Sequence, residues 1–173
     1  MNAEQKNFIE VVGAIASTDM KNSGVAASLT IAQAILESAW GKSELTKTGN
    51  ALFGIKATSN WKGKTLKRKT TEYEDGKKVQ VEAEFRAYDT WEESVKDHSA
   101  FLKKYKRYAK VIGETDYKEA CNAVAAAGYA TDPTYAKNLI ELIETYKLYN
   151  YDTKNTETDN LEVEEKKYYR VQA

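Results

Sequence analysis

One short segment decides how this chain is interpreted: Ala34-Ile35-Leu36-Glu37-Ser38-Ala39-Trp40-Gly41. Glu37 stands near the end of a helical run that is apolar on more than one side, a pattern typical of a helix buried in a core. Burial beside apolar groups disfavours an ionised carboxylate and raises its pKa. Glu37 is therefore a candidate proton donor. From these residues alone, a glutamate that reaches solvent or pairs with Lys42 is an equally good interpretation.

The spacing of apolar residues around this segment predicts two helices. The first ends near residues 22–24, and the second begins with Ser28 as its N-cap and stops at Gly41. Helical spacing is lost over residues 42–64, which predicts loops there.

The strongest turn signal lies further along the chain, at Asp75-Gly76. Its flanking residues alternate apolar with polar side chains, which predicts a β-hairpin over residues 66–87. Helical spacing then returns over residues 91–105, 117–127 and 133–148, where Pro133 suits a first helical turn. The sequence thus predicts an α+β fold, mainly α, with a helical lobe and a small hairpin lobe.

Composition excludes several functional classes. The 173 residues carry 26 basic and 26 acidic side chains, so the zero net charge gives no electrostatic case for nucleic acid. No apolar run approaches the roughly 20 residues that cross a bilayer, and we expect no membrane insertion. One cysteine, Cys121, and one histidine, His98, provide neither a disulfide nor a Cys/His zinc site, so we expect no metal and no cofactor. For these two residues, a buried thiol and a structural histidine are favoured over a catalytic pair.

Four motifs follow one another along the chain: Glu37-Ser38-Ala39-Trp40-Gly41-Lys42-Ser43, Asn50-Ala51-Leu52-Phe53-Gly54-Ile55-Lys56, Phe85-Arg86-Ala87-Tyr88 with Ser94 and Asp97, and Gly128-Tyr129-Ala130-Thr131-Asp132-Pro133-Thr134-Tyr135-Ala136. In content and order they resemble the glycoside hydrolase family 73 glucosaminidases, over about residues 8–152. Ala51 departs from the pattern, because many members run from the asparagine directly into an aliphatic residue. The resemblance implies a lysozyme-like helical lobe that faces the hairpin lobe across a cleft.

The resemblance also implies catalytic residues. Glu37 matches the general acid of the family, and Glu72, in the setting Thr-x-Glu-Tyr, matches a second glutamate that acts as base or charge stabiliser. Glu74 shares a strand face with Glu72 and is the alternative, although a solvated charge is favoured for it. Tyr129 matches a tyrosine that supports catalysis or positions the substrate acetamido group. The alternative for Tyr129 is a loop residue that fills the core.

Sugar rings stack on aromatic side chains, and their hydroxyls need fixed polar partners. For Trp40 and Phe53 a core role is at least as good an interpretation, whereas Trp61 lies in a polar loop that favours sugar contact. The expected substrate contacts are Trp40, Asn50, Phe53, Trp61 and Tyr135.

The implied activity is cleavage of the β-1,4 bond between N-acetylglucosamine and N-acetylmuramic acid in peptidoglycan glycan strands. We expect a monomeric endo-β-N-acetylglucosaminidase, either an autolysin or a phage endolysin, that acts at the cell wall or outside the cell. If the carboxyl groups of Glu37 and Glu72 lie about 6.5–9.5 Å apart, we expect inversion of the anomeric configuration, whereas a separation of about 5 Å would favour a covalent intermediate. A third mechanism, in which the substrate acetamido group attacks, needs no protein nucleophile. An N-acetylmuramidase or lytic transglycosylase on the same scaffold and a non-catalytic wall-binding module are the alternatives.

The domain organisation follows from where the apolar pattern stops. We expect a catalytic domain at residues 1–151 and a solvated linker at residues 152–166. Residues 167–173 resemble the opening strand of SPOR-type wall-binding repeats, which would make the chain a truncation. The polar N-terminal residues do not form a secretory signal. We therefore expect either that a holin releases the protein from the cell or that a signal peptide was removed from this sequence.

Overall fold

The computed structural model describes residues 1–153. Within them the α-helices are α1 (Ala3–Ser23), α2 (Ala27–Ser38), α3 (Glu44–Gly49), α4 (Trp91–Lys104), α5 (Tyr117–Ala126) and α6 (Tyr135–Thr145). The strands are β1 (Lys64–Glu74) and β2 (Lys77–Ala87), and short 3-10 helices cover Lys106–Tyr108 and Leu148–Tyr151. The predicted α+β fold, mainly helical with one hairpin, is confirmed. The predicted linker beyond residue 153 and the predicted strand at residues 167–173 lie outside the described residues.

Helix α2 forms the centre of the helical lobe. Every residue from Ala27 to Ile35 is buried, because α1, α5, α6 and the last 3-10 helix all pack against it. Its alanines let neighbouring helices approach closely, and its leucine and isoleucines fill the spaces between them. Its last turn projects beyond this core and carries Glu37. None of the helices in residues 1–153 is long and apolar enough to cross a membrane.

The start of α2 differs from the prediction. Ser28 is not the N-cap, because the helix begins at Ala27 and the capping residue, Ala26, makes no side-chain hydrogen bond. Instead, the backbone N–H and the hydroxyl of Ser28 donate to the carboxylate of Asp152, at 2.8 and 2.7 Å. A cap supplied from 124 residues away leaves no local sequence signal. The packed domain therefore includes Asp152.

The predicted hairpin is confirmed and begins two residues earlier than expected. β1 and β2 are antiparallel, with a register that runs from the Lys64–Ala87 pair to the Glu74–Lys77 pair. Asp75 and Gly76 both have positive φ, at 51° and 76°, as a two-residue type I′ turn requires. Only the base of the hairpin, at the C-terminal end of β2, is buried against the helical lobe.

Two local predictions were wrong. Residues 44–49, expected to be loop, form α3, whose N-cap Ser43 accepts a hydrogen bond from the Thr46 N–H. Six residues are too few for helical periodicity to show in the sequence. Pro133 precedes α6 rather than opening it, because the Asp132 carboxylate accepts a hydrogen bond from the Thr134 N–H at 2.8 Å and forms a separate turn.

Candidate active site

The chain reverses sharply after α2. Ala39, Trp40 and Gly41 all lie in the left-handed region, with φ of 49°, 61° and 79°. For the two residues with side chains this costs roughly 1–2 kcal/mol each. Buried Ser38 holds the turn, since its hydroxyl donates to the Ala34 carbonyl at 2.5 Å and accepts from the Gly41 N–H at 2.9 Å. The reversal ends the helix one residue after Glu37.

Glu37 is exposed on one side and enclosed on the other. Its Oε1 accepts a hydrogen bond from the Tyr135 hydroxyl at 3.2 Å. Partial burial of the carboxyl raises the pKa of Glu37, and the bond from Tyr135 opposes that increase. The alternative pairing with Lys42 is absent, because Lys42 lies 3.3 Å from the carboxylate of Glu4. The Glu37 carboxyl thus has a raised pKa and remains accessible from solvent.

Tyr135 connects Glu37 to the core. Its ring is buried, and its oxygen accepts a hydrogen bond from Gln33 Nε2 at 3.0 Å. Gln33 Oε1 lies 2.8 Å from His98 Nε2. The sequence predicted Tyr135 as a substrate contact and did not identify Gln33. An available signal was its polar side chain on an apolar helix, four residues before Glu37 and therefore on the same face.

Tyr129 lies beside Tyr135 in an aromatic cluster. The two rings are parallel within 8° and their centroids are 5.9 Å apart. Its ring also meets His98 edge-on at 6.1 Å. Burial raises the pKa of Tyr129, and nearby Tyr135 and Glu37 raise it further. The ring therefore packs as a core residue would, at a place close enough to Glu37 to interact with it electrostatically.

Glu72 lies on the half-buried face of the hairpin, and its Oε1 is 3.1 Å from Lys56 Nζ. Lys56 bridges to Phe85, which pairs with Leu66. In a straight strand Glu72 would lie roughly 20 Å beyond Leu66, out of reach of a lysine side chain. The contact therefore requires that the hairpin bend back towards its base. Glu74, next to the turn, is exposed, as its alternative interpretation predicted.

Besides Tyr135, whose ring is buried and whose hydroxyl pairs with Gln33 and Glu37, three expected substrate contacts are engaged within the protein. Trp40 packs edge-on against Phe8 and Tyr146, with centroids 5.9 and 5.2 Å away. The Asn50 amide donates to the carbonyls of residues 88 and 89, each at 3.1 Å. Phe53 is 3% exposed and stacks on the His98 ring. Phe53 therefore fits its alternative core role, whereas Trp40 is half-buried against the edge of the core. Asn50 connects two loop segments through their backbone carbonyls.

Trp61 lies beside the base of the hairpin, and part of its ring stays exposed. It is half-buried, and its Nε1 donates to the Lys64 carbonyl at 2.8 Å. The Arg86 guanidinium lies 4.8 Å from its ring centroid. Arg86 in turn forms an ion pair with Asp97, so the indole rests on a fixed cation. This arrangement orients the ring and leaves part of it available for a sugar.

Neither Cys121 nor His98 has the properties of a catalytic thiol and its base. Cys121 is fully buried, and burial raises the pKa of its thiol to about 12. His98 is also fully buried, which lowers its pKa to about 3 and keeps the imidazole neutral. Within residues 1–153, no three His, Cys, Asp or Glu side chains are close enough together to hold a metal ion.

The chain matches a known protein family and several curated relatives. Residues 13–148 match the family model described as mannosyl-glycoprotein endo-beta-N-acetylglucosaminidase. The exo-glucosaminidase LytG of Bacillus subtilis is 41% identical over 88% of this chain and 55% of that protein. The peptidoglycan hydrolase FlgJ of Salmonella typhimurium is 35% identical over 94% of this chain and 52% of that protein. The chain spans about half the length of these curated relatives.

A solved structure supports the same assignment. The catalytic domain of the autolysin Auto from Listeria monocytogenes superimposes with a TM-score of 0.79 at 36% identity, covering 88% of this chain and 89% of that one. The family match covers more than half of the chain and contains both Glu37 and Glu72. The chain therefore belongs to the glucosaminidases of glycoside hydrolase family 73.

Proposed function

We propose that this chain hydrolyses the β-1,4 bond between N-acetylglucosamine and N-acetylmuramic acid in peptidoglycan glycan strands. It acts at the cell wall, as a monomer and without a cofactor. The observation that carries the proposal is Glu37, a carboxyl with a raised pKa, bonded through one oxygen to Tyr135 and open to solvent on its other side. Family membership and the similarity to the exo-glucosaminidase LytG, the peptidoglycan hydrolase FlgJ and the autolysin Auto support the substrate class.

In the proposed reaction Glu37 is the general acid. Its proton passes to the bridging oxygen as the bond from that oxygen to the anomeric carbon of N-acetylglucosamine breaks. Positive charge then develops on the anomeric carbon and its ring oxygen. Water supplies the hydroxyl that completes the new reducing end, and the remaining proton of that water goes to a base. A partly enclosed carboxyl suits the acid role because it keeps its proton at a higher pH than a fully solvated glutamate does.

Glu72 is the proposed partner across the cleft. As a carboxylate it stabilises the developing charge or accepts the proton of the attacking water. Its place on the half-buried face of the hairpin, away from the turn, supports this role. Tyr129 supports the substrate near Glu37, and Trp61 stacks on a sugar further along the strand. Glu74 keeps only a solvated role.

The test is digestion of purified cell-wall sacculi, followed by borohydride reduction and mass spectrometry of the products. We expect products that end in reduced N-acetylglucosamine. Reduced N-acetylmuramic acid would indicate a muramidase, and anhydro-N-acetylmuramic acid a lytic transglycosylase. Retention on sacculi without new reducing ends would indicate a binding module. The size distribution of early products separates endo from exo cleavage.

A matched pair of variants tests the general acid. Glu37→Gln should lower the rate by about 10²–10⁴-fold, because it retains the shape of the side chain and removes the transferable proton. Glu141→Gln is the control, since Glu141 is an exposed glutamate elsewhere on the helical lobe. Both variants should fold like the parent protein by circular dichroism. Parent-like lysis by Glu37→Gln would refute the assignment.

A further inference from the structure

A buried chain of hydrogen bonds lies behind Glu37. It runs from Glu37 Oε1 to the Tyr135 hydroxyl at 3.2 Å, then to Gln33 Nε2 at 3.0 Å, and from Gln33 Oε1 to His98 Nε2 at 2.8 Å. Gln33 and His98 are both fully buried. Water therefore does not replace either partner, and each bond constrains the next.

Donation can run along this series of hydrogen bonds in two directions, outward to Glu37 or inward to His98, because a neutral imidazole carries one proton. In the outward direction His98 Nε2 donates to Gln33, Gln33 donates to Tyr135, and Tyr135 donates to Glu37. In the reverse direction Gln33 Nε2 donates to His98, whose proton then lies on Nδ1. His98 Nδ1 is buried and has no hydrogen-bond partner in the structure. A buried N–H without an acceptor costs more than an unused lone pair, so the outward direction is favoured.

We propose that Gln33 and His98 are positioning residues of the hydrolase, which orient the Tyr135 hydroxyl as a donor to Glu37 Oε1 and so keep the acidic proton on Oε2. This inference rests on the proposed role of Glu37 as general acid. A proton on Oε1 would point back at Tyr135 and would be unavailable to the glycosidic oxygen. The buried amide of Gln33 thus keeps the acidic proton on Oε2, the oxygen that can transfer it to the glycosidic oxygen.

Aromatic packing holds two members of this hydrogen-bond chain, His98 and Tyr135. Phe53 stacks on the His98 ring, with centroids 4.0 Å apart and planes within 19°. The Tyr129 ring lies parallel to the Tyr135 ring, with centroids 5.9 Å apart. These contacts fix the plane of each ring, and therefore the direction of the hydrogen bond that each ring makes. They also account for the burial of Phe53, one of the expected sugar contacts.

The first test compares Gln33→Met with Tyr135→Phe in kinetics on a soluble glycan-strand substrate. Gln33→Met retains the length of the side chain and removes both of its hydrogen bonds. We expect kcat to fall by about tenfold with little change in KM, because the substrate is still bound while the acid is wrongly oriented. The double variant should be no slower than Tyr135→Phe alone, since Gln33 acts through Tyr135.

The pH profile separates this role from a purely structural one. The titratable groups that face Glu37 are the phenols of Tyr135 on α6 and Tyr129 in the preceding loop, and both stay neutral because burial raises their pKa. Loss of an ordered donor raises the pKa of Glu37, so the alkaline limb of kcat should move to higher pH in Gln33→Met. An unchanged limb in a folded Gln33→Met variant would overturn the inference.

His98 provides a second pair of variants if Gln33→Met does not fold. His98→Gln places an amide N–H near the position of Nε2 and should retain the parent pH profile, whereas His98→Leu should shift it. Equal profiles for these two variants would contradict the inference. Failure of the proposed function would look different, because Glu37→Gln would then retain parent-like activity or the parent protein would release no new reducing ends.

Discussion

Replacing Arg86 with methionine tests what fixes the hairpin lobe to the helical lobe. Arg86 Nη1, at the base of β2, lies 3.2 and 3.1 Å from the two carboxylate oxygens of Asp97 on α4. The Tyr88 hydroxyl donates to the same carboxylate at 2.5 Å. The Arg86 and Asp97 side chains are only 10% and 16% exposed, so solvent cannot readily replace either partner. Methionine retains an apolar stem and leaves Asp97 with Tyr88 alone.

The expected loss follows from this burial. Removing one partner of a buried ion pair costs about 3–5 kcal/mol, because an uncompensated charge remains inside. The residual exposure of both side chains places Arg86→Met at the lower end, at about 3 kcal/mol. In a domain of this size each kcal/mol lowers Tm by roughly 2–4 °C, so we expect a decrease of about 6–12 °C. Small domains have about 5–15 kcal/mol of stability, so the variant should remain folded at room temperature.

Urea unfolding followed by circular dichroism measures this loss, with thermal unfolding as a second method. The control is the double variant Arg86→Met with Asp97→Leu, which leaves no unpaired charge and should recover part of the lost stability. A loss below about 1 kcal/mol in the single variant would place the pair among weak surface salt bridges and refute the reasoning. A double variant whose loss equals the sum of the two single losses would also refute it, because coupled partners are not additive.

Three further predictions concern the site. Glu72→Gln should lower the rate of sacculus digestion by about 10²-fold, whereas Glu74→Gln should leave the rate unchanged. If Glu72 is a base, azide should restore activity to the Glu72→Gln variant. Equal effects of the two substitutions would argue against the assignment. Tyr135→Phe removes the hydrogen-bond donor that lowers the pKa of Glu37, so Glu37 should keep its proton to a higher pH. The alkaline limb of the pH–activity profile should therefore move to higher pH. A shift to lower pH would show that another group sets this limb. The thiol of Cys121, buried and with a pKa of about 12, should resist alkylation in the native protein and react in urea, whereas rapid native labelling would contradict its burial.

Local sequence was most informative where structure depends on neighbours in the chain. Asp75-Gly76 predicts the hairpin because two successive left-handed residues match the twist of the flanking strands, and both have positive φ in the structure. Ser28 shows the limit of this approach. A serine near a helix start looks like a cap, yet the groups that satisfy the start of α2 come from Asp152, which tertiary packing brings there.

The site divides in the same way. Sequence patterns alone place an acidic residue near the end of an apolar helix, because helical periodicity and hydrophobicity are properties of adjacent residues. The groups that surround this acid are identified only once the helices are packed. Tyr135 and His98 reach Gln33 across 102 and 65 residues of sequence, from α6 and α4. Hydrogen-bond direction and burial depend on how these helices pack around α2, and no pattern along a single segment encodes that packing.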